Sequence, residues 1–145
     1  MPSEATNQAT RREWRELGFF YDRDSDAQEW RIFGSVAGLR KFAQLVREYA
    51  LNPRSDALSE HDHYGPYSYL EIGTWSDSEI TDHWIAGPVR ELLSLSSLID
   101  DLLPHATAGD RFSLRKDYAP SSPYDLVLLV HDDAFDPARA DTQCW

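Results

Sequence analysis

Two histidines one residue apart, His61 and His63 with Asp62 between them, are the residues of this chain best suited by type and spacing to carry chemistry. Side chains of an extended segment alternate with period two, so an H-x-H pair presents both imidazoles on one side. Imidazole with a carboxylate is a donor set for zinc or another transition metal. Glu60, Asp82 and His83 are the candidates for completing it, and the expected metal site is His61, His63 and His83. No H-E-x-x-H or H-x-E…C-x-x-C pattern accompanies the pair. The competing reading is that His61 and His63 hydrogen-bond a polar loop and that His83 is an ordinary sheet histidine. Nucleophilic catalysis has no motif: G-x-S-x-G and the P-loop are absent, and the single cysteine, Cys144, has no adjacent base. No residue is assigned a catalytic role.

The aromatic residues point to recognition. The chain has five Trp, seven Tyr and six Phe. If Ile32 and Ile85 face helices, Trp84 faces away from them, and Tyr67, Tyr69 and Trp75 share one strand parity. An open sheet face carrying Trp84, Tyr69, Tyr67 and Trp75, rimmed by Asp77, Glu79 and Asp82, has the composition of a protein-binding surface. The same face would equally serve a second copy of the chain, as a homodimer. Stacked aromatics also suit RNA, but Lys and Arg are scarce in the middle of the chain.

These residues must be positioned by strands and helices. Trp14–Tyr21 and Glu29–Phe33 read as a hairpin. Gly34-Ser35 then leads into an amphipathic helix over Val36–Leu51, with Ser35 a suitable N-cap. Tyr67–Trp75 and Ile80–Ala86 read as a second hairpin, Val89–Leu103 as a second helix, and Arg111–Tyr118 with Tyr124–His131 as a third hairpin. An offset of 53 residues sets Gly34 on Gly87, Ile32 on Ile85, Leu39 on Leu92, Phe42 on Leu95 and Val46 on Ile99, which is an internal repeat. The expected fold is α+β: a six-stranded, largely antiparallel sheet with two helices on one face, in ββα-ββα-ββ order. Leu39, Phe42, Val46, Leu92, Leu95 and Ile99 are the expected core.

A chain of 145 residues fits one domain, 1–145, with residues 1–10 and 133–145 expected to be flexible tails. No apolar run approaches the length of about 20 residues that spans a bilayer. The N-terminal residues lack the apolar stretch of a signal peptide. With one cysteine, these features predict a cytoplasmic protein. The net charge is −11, and Ser55 to Asp110 holds eleven acidic residues against one basic residue, Arg90. Such a field repels nucleic acid and anionic membrane and attracts a basic partner.

The run Trp30-Arg31-Ile32-Phe33-Gly34-Ser35-Val36-Ala37-Gly38-Leu39, a strand–G-S-x-x-G-L–helix pattern, resembles small immunity proteins of bacterial polymorphic toxin systems, and His61-Asp62-His63 is similar to an H-x-H stretch in some of them. The resemblance implies a cytosolic protein that binds and blocks a toxin, and it carries over no catalytic residue. The expected function is therefore that of a non-enzymatic acidic binding protein without a cofactor, with a basic toxin as partner. The alternative is a small metal-dependent enzyme using zinc or another transition metal at His61 and His63.

Overall fold

The computed structural model describes residues 3–145. Where the sequence suggests a tail and then a strand over Trp14–Tyr21, the chain forms helix α1, Glu4–Leu17. The Thr6 N–H donates to the Ser3 hydroxyl (3.1 Å) and caps its start. Gly18, at φ 89°, takes the left-handed conformation that ends it, its N–H donating to Trp14 O (3.0 Å). The propensity of the aromatic run for strand is overridden up to Leu17, and Trp14 is the one buried residue on the helix.

Strands β1 (Phe20–Asp24) and β2 (Glu29–Gly34) then form a hairpin whose second strand is as expected and whose first shares only Phe20 and Tyr21 with the expected Trp14–Tyr21, and α2 (Val36–Leu51) follows. Ser35 caps α2 as its position suggests, its hydroxyl accepting from the Gly38 N–H (3.2 Å). Ser35→Ala should cost about 1 kcal/mol of stability, read as a lower urea midpoint at unchanged slope. An unchanged midpoint would mean that the cap contributes nothing.

The rest of the chain runs β3 (His61–Tyr64), β4 (Leu70–Thr74), β5 (Glu79–Ile80), β6 (Ile85–Gly87), α3 (Val89–Leu102), β7 (Arg111–Ser113), β8 (Asp125–Val130) and α4 (Pro137–Ala140). The class is α+β, but the strands make two four-stranded sheets rather than one six-stranded sheet. The first has the order β1-β2-β8-β7 and the second β3-β4-β6-β5. Each is mixed, because its two central strands are parallel: β2 with β8, and β4 with β6. The expected Tyr67–Trp75/Ile80–Ala86 hairpin does not form. Its first strand pairs back on β3, and β5 and β6 make a separate short hairpin.

The repeat has a physical meaning in this arrangement. The chain is β1β2-α2-β3β4 followed by β5β6-α3-β7β8. Each sheet joins the first hairpin of one half to the last hairpin of the other. Ile32 pairs with Leu128 in the first sheet, as its repeat mate Ile85 pairs with Ile72 in the second. The two helices pack together, and where they cross the Ser96 hydroxyl donates to Ala43 O (2.7 Å). Ser96 and Ala43 are themselves 53 residues apart, so equivalent positions of the two halves touch there, as they must at a two-fold axis.

All six expected core residues, Leu39, Phe42, Val46, Leu92, Leu95 and Ile99, are buried to 1% exposure or less, in one cluster shared with both sheets. The C-terminal stretch expected as a tail contains α4 and a 3-10 turn at Thr142–Cys144, with Ala138 and Cys144 buried. Arg15 of α1 pairs with Asp136 (2.9 Å) and holds this segment against the first helix. Of the N-terminal stretch expected to be a tail, Met1 and Pro2 lie outside the described residues.

Candidate functional site

His61 and His63 lie on β3, an edge strand formed from what reads in sequence as a polar connection. They point to the same face, as alternation requires, with ring centroids 5.2 Å apart and planes at 88°. The antiparallel register sets His63 opposite Glu71 and His61 opposite Gly73 on β4. Glu71 Oε1 lies 3.2 Å from His63 Nε2 and 3.6 Å from His61 Nε2. The third member of the cluster is thus Glu71. His83 is elsewhere, its Nδ1 2.9 Å from the Thr81 hydroxyl and its ring stacked on Trp84 (5.0 Å, 20°). Glu60 and Asp62 are both engaged by Arg54, and Asp82 is exposed beside His83.

Strand pairing also settles the parity of the second sheet. Asp62, Ile72, Ile85 and Ile80 form one row across it, and His61, Gly73, Ala86 and Glu79 the next. Ile72, Ile85 and Ile80 face the core, so the histidines, Glu71 and Glu79 belong to the opposite face. Trp84 lies on that face as expected, its ring over Gly73, where only glycine leaves room for it. It is not an open platform, however. It is only 8% exposed, its Nε1–H donates to Glu79 (2.8 Å), and Trp75 packs against it at 5.7 Å. Trp75 and His83 are the exposed members of this group, and Asp77 and Asp82 are exposed beside them in the chain.

Tyr67 and Tyr69 belong to a different group. Tyr67 touches Tyr69 (5.9 Å) and Trp14 (6.3 Å), and Trp14 in turn touches Phe20 (4.8 Å) and Tyr21 (5.1 Å). Among the described residues no ring contact joins this set to Trp84 and Trp75. The expectation of a single aromatic face centred on Trp84 and Tyr69 is therefore corrected to two patches. Tyr69 and Tyr67 precede β4, and Ser68 between them, whose φ is 58°, breaks the strand alternation that would relate the two.

The set around Trp14 lines a cleft of about 320 Å³, completed by Trp30, Asp22, Arg23, Asp141 and Gln143. Tyr69, 69% exposed, stands at the cleft and is the most exposed large hydrophobic side chain among the described residues. Asp141 is 5% exposed and accepts from Tyr67 OH (2.6 Å), Trp14 Nε1–H (2.9 Å) and the Gln143 N–H (2.9 Å). Burial opposes its ionisation, but the Tyr67, Gln143 and Trp14 bonds outweigh it and hold the carboxyl below its ordinary value. Burial and the Asp141 carboxylate together raise the Tyr67 hydroxyl, so this tyrosine is a neutral donor.

Sequence reasoning missed Glu71 and Asp141. For Glu71 the signal was the alternation Leu70-Glu71-Ile72, which marks a carboxylate on the polar face of a strand; what it paired with depended on register. Asp141 sits in a polar C-terminal run with no pattern pointing to burial. Among the described residues no helix is long and apolar enough to cross a membrane. Comparison with known proteins supplies no relative: no family model, no curated protein and no solved structure matches the chain.

Proposed function

We propose that the chain is a non-enzymatic, acidic binding protein, an immunity-type inhibitor of a bacterial toxin or a similar interaction module, with a basic protein as its partner. The observation that carries this reading is the aromatic cleft at Tyr67 and Tyr69, a largely apolar recess beside an exposed tyrosine, on a chain of net charge −11. A recess of this kind accepts one anchoring side chain of a partner, and buried aromatic anchors commonly dominate interface energy. Tyr69 replaces Trp84 as the expected anchor, because Trp84 is already covered. The exposed acidic residues, Asp77 and Asp82 among them, add long-range attraction that speeds encounter and weakens as salt rises.

The test is association with the purified product of the neighbouring gene, with affinity measured by calorimetry and rates by stopped-flow mixing. Tyr69→Ala should weaken binding by about 2 kcal/mol, roughly 30-fold. Raising salt should slow association more than it speeds dissociation. Unchanged affinity in both Tyr69→Ala and Tyr67→Phe would remove the cleft from the interface. Dimerisation of the wild type that Tyr69→Ala abolishes would make the partner a second copy of the chain.

A further inference from the structure

We propose that His61, His63 and Glu71 bind a single divalent transition-metal ion, of the zinc class, on the face of the second sheet that points away from the core. Three features of the geometry lead there. The first is the tautomer. His61 Nδ1 lies 2.9 Å from Ser59 O, and His63 Nδ1 lies 3.0 Å from Ser68 O. A backbone carbonyl only accepts, so each Nδ1 carries a proton, and in neutral imidazole that leaves Nε2 with a lone pair. Both Nε2 atoms converge on one oxygen of Glu71. With both rings neutral, two lone pairs and a carboxylate face one another, an arrangement that a metal cation between them resolves. A metal-binding histidine characteristically donates its other ring N–H to a carbonyl, which orients the ring.

The second feature is distance. Ligand atoms at about 2.0–2.1 Å from a tetrahedral zinc lie about 3.3 Å from each other. The two Nε2–Oε1 separations are 3.2 and 3.6 Å, and all three ligand atoms fall within 4.8 Å of one another. The third feature is burial. The Glu71 side chain is only 12% exposed, and among the described residues the polar side-chain atoms that reach its carboxylate are the two imidazole Nε2 atoms, which in this tautomer donate no hydrogen bond to it. A carboxylate withdrawn from water needs compensating charge.

The fold itself does not require these residues. In the first sheet the positions equivalent by strand pairing to His61, His63 and Glu71 are Arg111, Ser113 and Val127, and the same hairpin forms there without any of the three. Imidazole and carboxylate donors with no thiolate suit zinc and its neighbours rather than calcium or magnesium. Three protein ligands leave a coordination position free, and the exposure of both histidines turns it toward solvent.

The experiment uses the full chain, stripped with chelator, dialysed and titrated with zinc chloride by calorimetry, with bound metal counted by mass spectrometry. One zinc per chain is expected, with micromolar or tighter affinity. Loss of an outer partner of a metal site already costs about 10–100-fold, so Glu71→Gln and His63→Ala should each weaken binding at least tenfold, whereas His83→Ala should not change it. Cobalt(II) substitution should give the intense visible bands of a low-coordinate site and lose them in Glu71→Gln. Far-UV circular dichroism of the metal-free variants verifies that they fold, since the equivalent hairpin needs none of these residues. No saturable binding overturns the proposal, as does zinc binding that survives Glu71→Gln or His63→Ala in a folded chain.

Discussion

Replacing Phe42 by Ala will lower the unfolding free energy by about 3–5 kcal/mol, the range for emptying a large buried aromatic site. Phe42 is fully buried, packs edge-on against Phe19 at 5.3 Å, and precedes Ala43 at the crossing of the two helices. It belongs to the single buried cluster that α2, α3 and both sheets share, so filling the void requires movement of packed neighbours. The loss is a large fraction of the roughly 5–15 kcal/mol that holds a domain of ordinary size together. Urea unfolding at fixed temperature measures it through the midpoint. A variant that unfolds at the wild-type midpoint would show that the stripe Leu39, Phe42 and Val46 is not the support assigned to it.

Asp141→Ala should cost about 2–4 kcal/mol, because it strands the Trp14 N–H and the Tyr67 hydroxyl without their shared acceptor. Asp141→Asn should cost less, since an amide oxygen in the place of Oδ2 can still accept two of the three bonds, those from Trp14 and Tyr67. A pH dependence accompanies the substitution. The Asp141 carboxyl is held below its ordinary value in the folded chain. A group with a depressed folded-state pKa contributes stability that is complete above its unfolded value, about 3.9, and is lost as pH falls through the folded value. Wild-type stability should therefore decline below about pH 4, with Asp24 and Asp136, also held low, contributing to the slope. The decline should be shallower in Asp141→Asn. Melting temperatures between neutral pH and pH 3 decide the matter: identical slopes for the two proteins would mean that Asp141 is not part of the acid response.

The parts of this fold that declare themselves in the sequence are those whose stability is local. Helix α2 begins and ends where its cap and apolar stripe place it, and α3 ends within one residue of its expected limit. The repeat was visible because the two halves bury equivalent positions of two helices. Pairing was not visible. A hairpin and a parallel crossover present the same alternation, so the strands read as neighbours in sequence order instead of interleaving. Helix α1 was hidden because thirteen of its fourteen residues stay at least partly accessible, so it lacks a broad apolar stripe. Strand β3 was hidden because His61-Asp62-His63-Tyr64 forms an edge, where polar side chains are the rule. The site follows the same division. The H-x-H spacing is local and readable, whereas Glu71 is opposite His63 only through the register of two strands. Trp84 was assigned the correct face and the wrong exposure, because Trp75 and Glu79 cover it from positions that parity alone does not bring together.

The exchange of hairpins between the halves also governs how this chain leaves the ribosome. Strand β2 is complete at Gly34, but its parallel partner β8 begins only at Asp125. Through most of synthesis the inner edge of the first sheet is a row of unanswered N–H and C=O groups on an apolar strand, the kind of edge that recruits other chains. The second sheet has no such delay, since β3 to β6 emerge consecutively. Nascent chains will therefore close the second sheet early and carry the first half-built until the last strand arrives. That window exposes Trp30-Arg31-Ile32-Phe33 to whatever is nearby: a chaperone, a neighbouring nascent copy, or the edge of the same sheet in another molecule.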